Sequence, residues 1–114
     1  MNKTTLKAKF WIDSPKGVIL GRGRLELLKQ IHQTGSISKA AKAMEISYRK
    51  AWRLAQSMNE ASDEEIVIMN AGGSKGGGTK VSEKGLQLMN MYESFDQELS
   101  EYLKTKSDEY SQLW

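Results

Sequence analysis

The chain has 114 residues, 39% of them hydrophobic and 27% charged, a composition that excludes a disordered polyelectrolyte and leaves room for one modest core. It holds no cysteine, which excludes disulfide staples and thiolate metal sites, and its longest aliphatic run, Ile66-Val67-Ile68-Met69, is too short to span a bilayer. The net charge of +3 is unevenly spread: residues 1–53 carry 12 Lys/Arg against 3 Asp/Glu, a net +9, whereas residues 54–114 carry 5 against 11, a net −6.

Such an asymmetry points to a polyanion-facing surface on one side, the alternative being ordinary solvated charge. The N-terminal stretch "MNKTTLKAKFW" lacks the apolar centre of a secretory signal, so a cytoplasmic protein with no membrane contact is expected.

The first element alternates. Leu6, Ala8, Phe10 and Ile12 fall on one face and Lys7, Lys9 and Trp11 on the other, which predicts a half-buried strand over about 6–12. Asp13-Ser14-Pro15-Lys16-Gly17 is turn chemistry, and Val18-Ile19-Leu20 is the returning strand of an N-terminal β-hairpin. After Gly23 the period becomes helical, with Leu25, Leu28 and Ile31 on the stripe, Leu27 and His32 at its margins and Gly35 as a stop. His32 is the sole histidine and has no ligand set around it in sequence, so a structural or surface role is expected rather than a metal or catalytic one.

A helix-turn-helix is predicted over about 36–59. Ser36 caps a helix whose apolar positions are Ile37, Ala40, Ala41 and Met44, and Ser47 caps a second after a connection of about three residues, too short for parallel packing. On the second helix Ala51, Leu54, Ala55 and Met58 share one face. Arg49, Arg53, Gln56 and Glu60 share the opposite one, flanked by Lys50 and Ser57 on one side and Tyr48 and Trp52 on the other. Guanidinium and amide groups in that arrangement suit base edges and phosphates. The competing reading is a solvated face on which Trp52 covers core.

Ile66–Met69 and Thr79–Val81 read as short strands around the glycine-rich stretch "NAGGSKGGGTK", a wing spanning 66–81. Gly73 and Gly78 have the spacing of a phosphate-binding loop, but Thr79-Lys80 follow in the wrong order and no helix begins there. As a hairpin tip behind a helix-turn-helix, the glycines let backbone approach a nucleic acid, with Ser74, Lys75, Gly76, Gly77, Gly78, Thr79 and Lys80 as candidate contacts. Ser82 then caps a long helix over about 83–103, leaving 104–114 as a frayed tail. Its wide apolar arc includes Leu88, Met91, Tyr92, Phe95, Leu99 and Tyr102, which serves either one broad core face or a second copy of the helix across a two-fold axis.

The stretch "GSISKAAKAMEISYRKAW", followed by "GGSKGGGTKVSEKG", resembles the N-terminal DNA-binding domain of ModE-type molybdate-responsive regulators, a winged helix related to LysR-type DNA-binding domains. The resemblance runs from about Gly23 to Leu103. It implies a homodimer joined through terminal elements, with the helix from Tyr48 in the major groove and the 72–80 wing on the backbone. Glu45 stands where the family usually has glycine; a positive φ at that turn would cost Glu about 1 kcal/mol. Family members commonly continue into molybdate-binding domains, for which residues 104–114 leave no room, so no cofactor is expected in this chain and a separate sensor protein is a possible partner.

The resulting expectation is an α+β winged helix-turn-helix, domain 1–103, that binds duplex DNA as a homodimer and regulates transcription without catalysis. Ser47, Tyr48, Arg49, Lys50, Trp52, Arg53 and Gln56 would serve the recognition helix, and Ser36, Ser38 and Lys39 the helix before the turn. The rivals are a winged helix that docks protein through its long apolar helix and a small-molecule or nucleotide-binding enzyme. The second lacks a nucleophile–base pair, a metal cluster or a phosphate motif in the sequence, and RNA binding lacks aromatics arranged as a stacking platform on strands.

Overall fold

A computed structural model describes residues 3–69 and 78–114. In chain order they form β1 (Ile12–Ser14), β2 (Gly17–Leu20), α1 (Arg22–Thr34), α2 (Ile37–Met44), α3 (Tyr48–Ala61), β3 (Val67–Ile68), β4 (Lys80–Val81), α4 (Glu83–Glu109) and a 3-10 turn at Ser111–Leu113. The fold class is the winged helix-turn-helix. These residues divide into two compact units, Trp11–Met89 and the described residues up to Phe10 with Asn90–Trp114.

In the larger unit each sheet is one antiparallel hairpin. Ile12 pairs with Leu20 and Ser14 with Gly17, with a bulge between Ile12 and Asp13. The strand therefore begins where the predicted one, 6–12, ends. β2 has four residues and is used up by Ile12–Ser14, so nothing remains to pair residues 6–11, and residues 3–9 are exposed on both of their alternating faces. The Ser14 hydroxyl lies 2.9 Å from the Gly17 carbonyl and 2.8 Å from that of Ala61, which ties the first hairpin to the end of α3.

The core gathers Leu20, Leu27, Leu28, Ile31, Ile37, Met58, Ile66 and Val67 around the small faces of Ala40, Ala41, Ala51 and Ala55. Alanine at these four positions lets α2 and α3 approach closely, because a larger side chain on either would fill the space between them. The buried stripe of α1 is Leu27, Leu28 and Ile31, with Leu25 only half-buried, so the helix is rotated toward Leu27 from the stripe the spacing predicts.

α4 starts from a crowded crossing. The Ser82 amide donates to the Ile66 carbonyl at 2.9 Å, the Ser82 hydroxyl donates to the Glu65 carbonyl, and the Gly85 amide donates to the Ser82 hydroxyl at 3.0 Å. A Cβ on Gly85 would meet Val81 Cγ1 at 2.5 Å and the Ile66 carbonyl oxygen at 2.7 Å. Only hydrogen fits there, since the second neighbour is backbone and cannot swing away.

In the smaller unit the N-terminal segment lies against the later turns of α4. The Leu6 amide donates to Ser107 Oγ at 2.7 Å, Ser107 Oγ donates to the Leu103 carbonyl, and Tyr92 donates its hydroxyl to the Phe10 carbonyl at 2.8 Å. Phe10 stacks on Tyr92 with ring centres 4.2 Å apart and meets Phe95 edge-on at 4.9 Å, both favoured aromatic geometries. Lys3 sits 2.9 Å from Asp108 and holds that carboxyl below the usual carboxylate range.

Two expectations are corrected here. Helix α4 continues to Glu109 and a 3-10 turn follows, so 104–109 is helix rather than frayed tail. Tyr92, expected at a dimer seam, is 1% exposed, because Phe10 already covers its ring within the same chain. Met91, Phe95 and Tyr102 remain exposed, while Leu88 and Leu99 are half-buried.

Replacing Gly85 with alanine is expected to destabilise the fold by about 1–3 kcal/mol through overpacking. The check is the urea midpoint of the purified variant; an unchanged midpoint would show that the crossing has slack.

Candidate nucleic-acid interface

The turn between α2 and α3 is three residues long. Glu45 adopts φ 57° and ψ 40°, the left-handed region, and is the sole positive-φ non-glycine among the described residues. This conformation lets the Ile46 amide reach the Ala41 carbonyl at 3.0 Å and the Glu45 amide reach that of Lys42 at 3.1 Å, closing α2 in the manner glycine usually serves. Ser36 and Ser47 cap their helices by accepting the amide protons of Lys39 at 3.1 Å and Lys50 at 3.0 Å. Each serine keeps its own hydroxyl proton to donate outward.

The base of the wing is fixed to the entrance of α2. Gly35 ends α1 with φ 70°, and its carbonyl accepts the Thr79 amide at 2.9 Å. On the other strand Asn59 of α3 donates to the Val67 carbonyl at 2.9 Å and accepts the amides of Ile66 at 2.8 Å and Val67 at 2.9 Å. Across α1 and α3, Arg24 donates to Ser57 Oγ at 2.9 Å, leaving its Nε buried without a partner among the described residues.

These ties close a groove of about 500 Å³. The α2 entrance supplies Ser36 and Ser38, α3 supplies Tyr48, Trp52, Gln56 and Asn59, and the wing base supplies Met69, Gly78 and Thr79. Residues up to 44 apart in sequence, Gly35 and Thr79, thus share one concavity. A second groove of about 440 Å³ lies on the other side of the aromatics, between Tyr48, Arg49, Trp52 and Arg53. Arg49, Lys50 and Arg53 are exposed and none of them has an ion-pair or hydrogen-bonding partner for its side chain among the described residues. Lys39 and Lys80 are exposed as well.

Ser74, Lys75, Gly76 and Gly77, expected at the wing tip, lie outside the described residues. Sequence reasoning missed two members of the groove. Asn59 was concealed because an amide on the polar side of an amphipathic helix carries no periodic signal. Glu65 lines the same groove and is exposed, an acidic group in otherwise neutral or basic surroundings. Among the described residues no cluster of His, Cys, Asp or Glu could hold a metal ion, and no helix is long and apolar enough to cross a membrane.

Both grooves and the exposed cations lie on the helix-turn-helix and wing base, and other proteins resemble this chain in sequence. The chain is 33% identical to the molybdenum transport protein ModE of Azotobacter vinelandii over 113 residues, which is 99% of this chain and 42% of that one. It is 43% identical to the transcriptional regulator ModE of Yersinia pestis over 88 residues, 74% of this chain and 33% of that one. Over this region the chain is homologous to the ModE-type regulators.

A further ModE-type relative, the DNA-binding transcriptional dual regulator ModE of Escherichia coli K12, is 40% identical over 61% of this chain and 27% of its own length. The chain spans less than half the length of each of these curated relatives. No protein-family model matches it. Among solved structures, a LysR family transcriptional regulator matches with a TM-score of 0.55 at 18% identity, over 71% of this chain and 26% of that one, a likeness of fold.

Glu45→Gly is expected to stabilise the protein by about 1 kcal/mol by removing the left-handed strain. Thermal unfolding should shift upward by about 3–5 °C. A fall in the midpoint would mean that the Glu45 side chain contributes more than its backbone costs.

Proposed function

We propose that this chain, as a homodimer, binds duplex DNA in a sequence-specific manner and regulates transcription; DNA binding and transcriptional regulation are what the name of its Escherichia coli K12 relative gives for that protein. The observation that carries the reading is the meeting of the α2 entrance, α3 and the wing base around one groove, beside three cations whose side chains have no partner among the described residues. Uncommitted guanidinium groups on a helix flanked by clefts suit guanine edges and phosphates better than they suit an isolated solvated surface.

In this reading α3 enters the major groove. Arg49, Lys50, Arg53 and Gln56 contact bases or clamp the strands, assisted by Tyr48 and Trp52. Ser36, Ser38, Lys39 and Ser47 hold phosphates at the two helix entrances, where backbone amides and the helix dipole already favour an anion. The wing, from Ser74 to Lys80, follows the adjacent backbone. The exposed Met91, Phe95 and Tyr102, with the half-buried Leu99, form the seam between two copies of α4, setting two recognition helices on half-sites about 34 Å apart. Molybdate sensing, if this regulator has it, is assigned to residues or partners other than the winged helix. The reading is one of binding rather than catalysis, and none of the three ModE-type relatives carries the name of an enzyme.

With about five phosphate contacts per bound unit, the logarithm of affinity should fall against the logarithm of salt with a slope near −4 to −5. Arg49→Ala and Arg53→Ala should each weaken binding to a selected operator by about 10- to 100-fold. Fluorescence anisotropy over a salt series measures both, and a flat salt response would remove the reading.

Gel filtration at micromolar concentration should give twice the 12.8 kDa chain mass. A monomer would remove the paired half-sites while leaving a single DNA-binding face possible.

A further inference from the structure

Tyr48 and Trp52 stand one helical turn apart on α3 and are 57% and 41% exposed. Both line both grooves, so the two rings form a ridge with the α2 entrance and wing base on one side and Arg49 and Arg53 on the other. Neither ring has a hydrogen-bonding or aromatic partner among the described residues. Two large apolar rings left in water at the centre of a basic surface are costly unless a ligand covers them.

A duplex offers little apolar matter in its major groove. The edges of all four base pairs present hydrogen-bonding groups, and the single apolar group among them is the 5-methyl of thymine. Resting on the duplex-DNA reading above, we propose that Tyr48 and Trp52 are specificity-determining residues that read thymine 5-methyl groups by apolar contact, beside the bases taken by Arg49 and Arg53. The two rings are separated by about 6 Å along the helix axis, near the length of two base steps of about 3.4 Å each. Each half-site should then hold two thymines at about that separation, next to the guanines that suit an arginine fork.

The test uses the full chain and duplexes recovered by selection from a random library, remade with each thymine replaced in turn by deoxyuridine. That exchange removes one methyl and leaves base pairing and every hydrogen-bonding group intact. Affinity should fall about fourfold at one or two positions in each half-site, the size expected for withdrawing one methyl from an apolar contact. Trp52→Ala should abolish the thymine preference at one of these positions and Tyr48→Ser at the other. Because the Tyr48 ring is the more exposed, Tyr48→Ser keeps the test decisive if Trp52→Ala fails to fold.

Tight binding that ignores every uracil exchange overturns the inference and leaves the DNA-binding reading standing. A methyl preference that survives in both variants also overturns it, because another residue then reads the thymine. Absence of binding to any duplex overturns both readings together.

Discussion

One peptide group joins the entrance of the helix-turn-helix to the base of the wing, 44 residues further along the chain. The carbonyl of Gly35 accepts the Thr79 amide, while the positive φ of the same glycine ends α1 and turns the chain into the Ser36 cap of α2. The base of the wing and the entrance of the helix-turn-helix are thereby set by one residue's geometry. A Cβ on Gly78 would lie 3.4 Å from that same oxygen, in ordinary contact with it. The contact sets the groove's wing side beside the start of α2, while Asn59 holds the wing's first strand to α3.

The hairpins themselves are too short to be held by ladder hydrogen bonds. β3 and β4 have two residues each, and a lone two-stranded ribbon is marginal in water. Small polar side chains supply what the ladders lack. Asn59 satisfies three backbone groups at Ile66 and Val67, Ser82 ties Glu65 to the start of α4, and Ser14 bridges the first turn to the last residue of α3. Each links a helix to a neighbouring strand or turn and gives a part-buried backbone group a hydrogen-bonding partner.

How much of this was legible depended on whether a feature leaves a period or a cap in the sequence. The alternation of Ile37, Ala40, Ala41 and Met44 and the serines at 36 and 47 mark the helix-turn-helix, because periodic burial and capping are properties of adjacent residues. The pattern over Leu6 to Ile12 misled for the converse reason. Period two describes a strand only if another strand lies beside it, and that partner is a long-range fact. Tyr92 was misplaced likewise, since an aromatic on a helix cannot announce that Phe10, 82 residues away, will cover it. The interface was half legible: the cations of α3 follow from the angular position of each residue, whereas Glu65 joins the groove only because the chain folds back from α3 into β3, and Asn59 only because it binds Ile66 and Val67 there. The left-handed Glu45 leaves no period and no cap signature of its own, so composition and spacing do not reveal it.

The absent side chain at Gly85 governs how force passes through the larger unit. Ordinary packed side chains yield to a push by changing rotamer, which gives a joint some play before load is transferred. At Gly85 the neighbours are the Ile66 backbone and the Val81 side chain, with no room even for a methyl between them and the first turn of α4. The joint is stiff. A tilt of that turn toward the hairpin would press directly on Val81 and the Ile66 backbone, with no side chain of residue 85 between them to absorb it.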